Sequence, residues 1–362
     1  MINNKNARLK HNVTTLSRQI LISFFALSIS LTLSMLLVNL MEIDPGLALK
    51  SMLDGAVGSK NSIAETIVKM SPLLFTGMSF AIAFRCGLTN LGMEGQLYMG
   101  AVASTAIAVY VKNLPSYIHI PLALFAAFIG GGLWGWIAGI LKVKSGASEI
   151  ITTVMMNTIS LSLAAYLVAG PMAEPSGTRT QTSAILGTSR LPVIIEGTRA
   201  HLGFLIAIVF VILFWLFLTK SKKGFEIRMS GQNMKAAQYS GVSTDKNIML
   251  VMFLAGGLAG LAGANEILGV QKMMLPIISP GYGFDGIAVS MIGMNSPFGI
   301  IVGALLFGML RAGSNMMQMT AKVPITIISV IQGFVIITVI ASNYIIEVVN
   351  DKKLKKHVRE LT

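Results

Sequence analysis

Long apolar runs, separated by short polar segments, make up most of the 362-residue chain. A helix needs about 20 apolar residues to cross a hydrocarbon core of roughly 30 Å. The pattern predicts an all-α polytopic membrane protein with about ten membrane-spanning helices, in a range of eight to ten. The third, eighth and ninth of these predicted spans are short. The predicted spans lie near residues 19–41, 63–84, 97–111, 120–141, 149–170, 202–219, 248–270, 284–293, 297–312 and 324–345.

The amino-acid composition is that of a protein surrounded by lipid. Hydrophobic residues make up 54% of the chain and charged residues only 12%, whereas an ordinary soluble domain carries about 25% charged residues. The single cysteine, Cys86, excludes an internal disulfide framework. Because Cys86 has no second cysteine beside it and the four histidines are scattered, we expect no metal and no cofactor in this chain.

Positive charge is concentrated in both terminal segments and in one central segment. The net charge of +13 fits the rule that cytoplasmic segments of membrane proteins are rich in lysine and arginine, so we expect no nucleic-acid partner. We predict that residues 1–18 and 346–362 are basic cytoplasmic tails around a single transmembrane domain at 19–345. With both tails on one side, the number of spans must be even.

Two long loops connect predicted spans. Residues 171–200 contain several Pro and Gly, which is typical of a structured loop, and the topology places them outside. Residues 220–247 are basic, so the topology places them in the cytoplasm. This second loop, which contains "KSKKGFEIRMSGQNMKAAQYSGVSTDKN", predicts one short amphipathic helix around 231–240 and then a Gly-Val-Ser turn.

A polar break, "GLTNLGMEGQ", separates the second and third predicted spans at residues 87–96. Its three glycines permit non-helical backbone, and Asn90, Glu94 and Gln96 supply hydrogen-bonding groups. Irregular backbone at membrane depth is tolerated only where protein or water covers it. Two interpretations remain open, a simple cytoplasmic turn and a break that lines a substrate pathway.

Other polar residues fall within or beside the predicted spans. Asn157 lies in the fifth span, Asn265 and Glu266 lie late in the seventh, and Asp285 opens the eighth. Buried carboxylates in membranes usually face a cavity or a partner. For Asn157 an interhelical hydrogen bond competes with substrate contact. Glu65 and Lys69 are four residues apart and are predicted to pair on one helical face.

No catalytic motif stands out in the sequence. A P-loop requires G-x-x-x-x-G-K-[ST], and "GAVGSKNS" at 55–62 lacks this spacing. The chain is therefore not predicted to be an enzyme, and active transport would draw energy from a partner or an ion gradient.

Small residues recur in two of the predicted spans. The stretches "GGGLWGWIAG" (130–139) and "AGGLAGLAGA" (255–264) predict close packing of helix backbones. A weak similarity between residues 92–105 and 293–306 suggests internal symmetry, and five spans per half would form an inverted repeat of the kind found in transporters.

Four segments resemble the permease subunits of ABC importers, in the branch that includes ribose, branched-chain amino acid and nucleoside permeases. They are "FRCGLTNLGMEGQLYMGA" (84–101), "KVKSGASEIITTVMMNTIS" (142–160), "AAQYSGVS" (236–243) and "GYGFDGIAVSMIGMNSPFGIIVGALLFG" (281–308). The form of the first segment is characteristic of the nucleoside members. The third segment departs from the common pattern, since Lys235 precedes its two alanines and no proline follows.

The resemblance implies a transport subunit in the cytoplasmic membrane of a bacterium. Such a permease pairs with a second related permease, or with its own copy, and docks on two ATPase subunits that bind ATP and Mg. An extracytoplasmic substrate-binding lipoprotein would deliver a nucleoside. The alternatives are a sugar or amino acid as substrate, or a self-powered secondary transporter or channel.

The predicted site residues fall into two sets. Those expected along the substrate pathway are Asn90, Glu94, Gln96, Asn157 and Asp285. Glu94 would accept hydrogen bonds from ribose hydroxyls or, alternatively, cap the amino end of the following span. Those expected to couple the chain to the ATPase are Gln232, Lys235, Ala236, Ala237 and Gly241, with Gly241 allowing the chain to turn.

Overall fold

A computed structural model describes residues 28–30, 32–175, 177, 179–324, 327–338 and 341. Helices account for nearly all of the regular structure in these residues. They are α1 (Ser28–Leu40), α2 (Pro45–Val57), α3 (Lys60–Arg85), α4 (Met93–Tyr110), α5 (Ser116–Ser145), α6 (Glu149–Ala169), α7 (Gly203–Lys220), α8 (Lys222–Gln232), α9 (Met234–Tyr239), α10 (Thr244–Asn265), α11 (Tyr282–Ile292), α12 (Pro297–Thr320) and α13 (Ile327–Thr338).

Two shorter elements complete the fold. A π-helical segment, Glu266–Gln271, continues α10, and a 3-10 turn lies at Gly187–Ser189. The chain forms two compact units. The larger unit is Ala56–Ala312, and the other contains the described residues up to Gly55 and from Gly313 onward.

Within the part of the chain that the structure describes, six helices are long and apolar enough to cross a membrane. They are Lys60–Arg85, Ser116–Ser145, Glu149–Ala169, Gly203–Lys220, Thr244–Gln271 and Pro297–Thr320. This confirms the predicted all-α polytopic membrane protein. The count of ten spans and the five-plus-five repeat stay predictions, since parts of the first and last predicted spans, and both predicted tails, lie outside the described residues.

Three helices differ from the sequence-based expectation. The third predicted span begins at Met93 rather than at residue 97, because Gly92 already occupies the N-cap position. The ninth is a 24-residue helix, Pro297–Thr320, rather than a short element. Apolar α2, at Pro45–Val57, was not predicted.

Helix α10 lies at the centre of the larger unit. It packs against α3, α4 and α5. In the most apolar 18-residue stretch of α10 and its π-helical continuation, 78% is buried, whereas only 28% of the corresponding stretch of α7 is buried. The exposed apolar side chains of α7, including Leu205, Val209 and Ile212, form the kind of surface that hydrocarbon chains solvate.

Glycines bring the backbones of α5 and α10 into direct contact. A Cβ added at Gly256 would collide with the carbonyl oxygen of Gly131 and would lie 3.1 Å from Cα of Gly135. A Cβ added at Gly260 would collide with the carbonyl oxygen of Ala127. The predicted close packing of the two small-residue stretches is therefore confirmed.

The described residues of the loop at 171–200 form a layer against the end of α10 and its π-helical continuation. The backbone N–H of Leu191 donates to the carbonyl of Leu268 at 3.0 Å, and that of Ile185 donates to Lys272 at 2.9 Å. Isolated β-bridges join Ala173 to Thr182 and Val193 to His201. The described residues of the predicted loop are therefore structured, and their contacts hold them against the π-helical segment, whereas the position of the loop outside the membrane stays a prediction.

The α5–α10 contact predicts that substitution of Gly256 lowers the stability of the protein. Replacing Gly256 by Ala forces α10 away from Gly131, and overpacking of this kind costs about 1–3 kcal/mol. We expect the melting temperature of the detergent-solubilised protein to fall by several degrees. Gly333→Ala is the matched control, because no atom lies within 4 Å of a Cβ at that helical position. Equal melting temperatures for the two variants would contradict the packing argument.

Candidate functional site

The polar break between α3 and α4 is shorter than its sequence suggested. Helix α3 ends at Arg85 and α4 begins at Met93, so Glu94 and Gln96 lie in the first turn of a helix rather than in irregular backbone. Gly87 has a positive φ of 79°, and a Cβ there would lie 3.3 Å from Cα of Gly231 in α8. This glycine permits both the left-handed turn and the close approach of α8.

Asn90 and Gln96 bind each other inside the protein. The Asn90 Nδ2 donates to Gln96 Oε1 at 3.0 Å, and Gln96 Nε2 donates back to Asn90 Oδ1 at 3.2 Å. Asn90 Oδ1 also accepts from the backbone N–H of Gly92. Both side chains are buried, so this exchange fixes the turn that leads into α4.

Asn157 of α6 completes the same group. Its Oδ1 accepts from the backbone N–H of Gly95 at 2.8 Å, and its Nδ2 donates to the carbonyl of Leu91 at 2.8 Å. An unsatisfied N–H of the first turn of α4 thereby gains a partner. The geometry corresponds to the interhelical hydrogen bond that the sequence left open as one role for Asn157.

Glu94 satisfies the start of α11 rather than that of its own helix. Its Oε2 accepts from the backbone N–H of Gly283 at 2.7 Å. Ser279 Oγ accepts from the N–H groups of Gly281 and Tyr282 at 3.1 and 3.0 Å. Glu94 thus lies in the first turn of α4, as the capping alternative requires, but its carboxylate binds the backbone of a helix that begins much later in the chain.

Asp285 forms a buried ion pair with Arg311 of α12, a residue that the sequence analysis missed. The Arg311 Nε donates to Asp285 Oδ2, and the two side chains are only 10% and 6% exposed. Arg311 Nη2 also donates to the carbonyl of Pro280 at 3.0 Å. Glu94 and Asp285 consequently meet at the start of α11, apart from the Asn90–Gln96–Asn157 group.

The predicted pairing of Glu65 with Lys69 is wrong. Glu65 binds Arg199 at 3.3 Å, whereas Lys69 Nζ donates to the Tyr282 hydroxyl at 3.3 Å. Because Arg199 and Tyr282 come from distant parts of the chain, the spacing of four residues gave no sign of either partner. The Tyr282 ring also lies 5.0 Å from the Arg311 guanidinium carbon.

His201 is buried where the loop at 171–200 enters α7. Its Nδ1 accepts from the backbone N–H of Gly203 at 3.2 Å, so the neutral ring carries its proton on Nε2. Burial, together with the nearby charge of Arg199, lowers the pKa of His201 to about 4. The ring is therefore neutral near pH 7, and its charging opposes folding as the pH falls from the unfolded value near 6.5 towards 4.

The predicted coupling segment contains two helices, α8 and α9, rather than one. Asn233 separates α8 from α9, and its Oδ1 accepts from the backbone N–H of Ala236 at 3.0 Å, which caps α9. The short helix predicted around 231–240 is therefore present as α9, but it begins later than predicted because Asn233 adopts an extended conformation. Gln232 ends α8, Lys235, Ala236 and Ala237 lie in α9, and Gly241 turns the chain with a φ of 80°.

Tyr239 is the most exposed large hydrophobic side chain of α8 and α9. It is 94% exposed, although Ala237 two residues earlier is buried. Beside α8 lies a cavity of about 420 Å³ whose lining includes Arg85, Arg228 and Gln232. The segment thus presents an aromatic projection and a basic cavity, features that periodicity alone did not distinguish from an ordinary loop.

A metal centre has no support in the residues described. No group of three or more His, Cys, Asp or Glu in that part of the chain is placed to hold an ion.

The apolar helices and the buried polar groups between them define the class of protein as a polytopic helical membrane protein. The family model for the permease component of branched-chain amino acid transport systems matches residues 62–340. The chain belongs to this permease family.

Three curated relatives match most of the chain. The guanosine ABC transporter permease protein NupP of Bacillus subtilis is 39% identical over 84% of this chain and 87% of its own length. The nucleoside permease NupB of Lactococcus lactis is 33% identical over 93% of this chain and 94% of its own. The glucose permease TsgB13 of Haloferax volcanii is 31% identical over 84% and 82%.

The Asp285–Arg311 pair gives a prediction about stability. Asp285→Asn leaves the Arg311 charge buried without its counter-ion, and breaking a buried pair in this way costs roughly 3–5 kcal/mol. We expect a clear fall in the melting temperature of the solubilised protein. Glu65→Gln is the control, since the Arg199 side chain of that pair is 58% exposed and exposed pairs contribute about 0–1 kcal/mol.

A double variant separates charge from shape at this pair. Asp285→Leu with Arg311→Met removes both charges, so it should melt above Asp285→Asn. A double variant that melts below the single one would show that the pair does not act as a unit.

Proposed function

We propose that this chain is the transmembrane permease subunit of an ATP-driven ABC importer whose substrate is a nucleoside. The observation that carries the proposal is the match along nearly the whole chain to permeases named for guanosine and nucleosides, at 39% and 33% identity. The second candidate substrate is a sugar, supported by the 31% identity to the glucose permease.

The segment α8–α9 is proposed to couple the chain to its ATPase. Helix α8 contacts α3 and α10, and a Cβ at Gly231 would meet backbone atoms of Arg85 and Gly87 within 3.0 Å. Backbone contact of this kind transmits displacement because no flexible side chain lies between the two segments. Movement imposed on α8 would therefore reach the turn that positions α4.

The proposed assembly contains further chains. ATP and Mg would bind to two ATPase subunits, and a second related permease, or a copy of this chain, would complete the pathway. An extracytoplasmic substrate-binding lipoprotein would deliver the nucleoside. The basic segments support an orientation in which both termini and α8–α9 would lie on the cytoplasmic side of a bacterial cytoplasmic membrane.

Reconstitution tests this proposal directly. We expect the complex, co-purified from its native membrane and placed in proteoliposomes, to take up radiolabelled guanosine only with ATP on the ATPase side and binding protein on the other. Uptake by this chain alone, without ATP, would instead identify a secondary transporter or channel. ATP-dependent uptake of glucose in preference to guanosine would favour the sugar alternative.

Tyr239 provides a test of the coupling segment. Tyr239→Ala should reduce recovery of the ATPase subunit with the tagged permease, because the aromatic projection is expected to fill a groove on that partner. We expect a loss of about tenfold in ATP-dependent uptake with an unchanged melting temperature of the permease. Tyr117→Ala is the control, since Tyr117 is also strongly exposed, at 78%, and lies at the start of α5 rather than in α8–α9. Equal ATPase recovery with both variants would contradict the assigned role.

A further inference from the structure

Around the carboxyl end of α10 lies a group of polar side chains whose hydrogen bonds leave several buried atoms without a partner in the described part of the chain. We call it the π-segment cluster, and it consists of His201, Asn265, Glu266 and Gln271. Here α10 changes from α-helical to π-helical hydrogen bonding, with Glu266 as the first residue of the π segment. Single π-helical turns occur frequently at functional sites, since they reorient side chains within a continuous helix.

Several buried atoms of this cluster have no hydrogen-bond partner within the described residues. They are His201 Nε2, Asn265 Nδ2, Asn265 Oδ1, Glu266 Oε1 and Gln271 Oε1. His201, Asn265 and Glu266 are each at most 3% exposed. A buried polar group without a partner is unfavourable by about 1–3 kcal/mol, so such groups are rare in native proteins.

The polar residues near α4 differ from this cluster. Asn90, Gln96 and Asn157 use their side-chain atoms in hydrogen bonds to one another or to the backbone, and Glu94 binds Gly283. Their hydrogen bonds account for their burial without a ligand. The π-segment cluster is therefore the place where an additional molecule would satisfy the most buried polar atoms.

The unpartnered atoms lie close together. A Cβ on Gly203 would collide with Asn265 Oδ1 and would lie 2.8 Å from the His201 ring, and one on Gly269 would collide with the same ring. The Glu266 side chain hydrogen-bonds with the side chains of Gln271 and Tyr282, so Glu266 and Gln271 lie together while Glu266 Oε1 and Gln271 Oε1 keep no partner among the residues described. The cluster therefore converges beneath the loop at 171–200, whose Leu191 binds the backbone of Leu268.

The chemistry of these atoms limits the ligand. His201 donates through Nε2, because its Nδ1 accepts from Gly203, and Gln271 offers Oε1, because its Nε2 donates to Ile278 at 2.8 Å. Asn265 offers both a donor and an acceptor, so the orientation assigned to its amide does not affect the argument. Donors and acceptors side by side suit hydroxyl groups, which do both.

Charge also favours an uncharged ligand. Lys69 and Arg199 both lie near enough to Glu266 for electrostatic interaction. Arg199 is already paired with Glu65, and Lys69 donates to the Tyr282 hydroxyl. The positive charge of Lys69 offsets the negative charge of a Glu266 carboxylate, so neither a cation nor an anion is needed to balance the site.

We propose that the π-segment cluster binds the hydroxyl groups of the substrate's sugar ring during transport. This inference rests on the proposed function, and it assigns to Glu266 and Asn265 the ribose contact that the sequence suggested for Glu94. Guanosine and glucose, named in the relatives above, share hydroxyl groups on a sugar ring. The cluster would therefore recognise the part of the substrate that is common to both.

The test uses the purified permease–ATPase complex without its binding protein, so that only the permease discriminates. Melting temperatures are measured alone, with millimolar guanosine, and with 2′,3′-dideoxyguanosine, which lacks both ribose ring hydroxyls. We expect guanosine to raise the melting temperature and the dideoxy compound to do so much less. Equal shifts with the two compounds, or no shift with guanosine, would overturn the proposal.

Two variants assign the effect to the cluster. Glu266→Gln keeps the size of the side chain and should weaken guanosine binding at least about tenfold, as loss of a charged hydrogen-bonding partner does. Asn265→Leu should abolish the hydroxyl-dependent shift while leaving the unliganded melting temperature equal or higher, because it removes two unpartnered atoms. Glu65→Gln, the same chemical change outside the cluster, should retain the full shift.

The outcomes separate this inference from the proposed function. Retention of the full guanosine shift in both cluster variants would overturn the ribose contact. If wild-type proteoliposomes take up guanosine in the presence of ATP while the cluster variants behave like wild type, only the site assignment fails. If wild-type proteoliposomes do not take up guanosine, the proposed substrate itself fails.

Discussion

Direct backbone contact between α5 and α10 is the constraint around which the larger unit is arranged. Lipid offers little hydrophobic gain for bringing helices together, so close van der Waals packing must supply it. Gly131, Gly256 and Gly260 leave room for carbonyl oxygens of the opposite helix. This contact places α10 inside the unit and carries its polar end, Asn265 and Glu266, to a position that lipid does not reach.

Satisfying polar groups without water is the second constraint on the structure. Asn157 and Glu94 each supply an acceptor to a helix other than their own, at Gly95 and Gly283 respectively. The starts of α4 and α11 therefore depend on tertiary partners in addition to the local contacts of Asn90 and Ser279. The π-segment cluster differs, because several of its buried polar atoms have no partner within the residues that the structure describes. The polar residues near α4, in contrast, use their side chains in hydrogen bonds within the protein.

The proposed ATPase contact at α8 and the proposed sugar contact at the π segment are both connected to α10. Helix α8 touches the turn at Gly87 through Gly231, and that turn leads into the helix whose Glu94 holds the start of α11. The π segment lies at the far end of α10, which also contacts α8 and α9. A displacement of α8 thus has a route of packed backbone towards the proposed sugar contact.

The sequence alone determined the class of the protein, most of its helices, the ordered loop at 171–200 and the close helix packing, because apolar length and small-residue spacing are local properties. Its resemblance to ABC permeases also agreed with the family that the comparisons establish. Only the tertiary structure decided the partners of the polar residues. Lys69 binds Tyr282 rather than Glu65, Asp285 binds Arg311, and Glu94 crosses to Gly283, because each partner lies outside the local helical spacing and becomes a neighbour only when the helices pack.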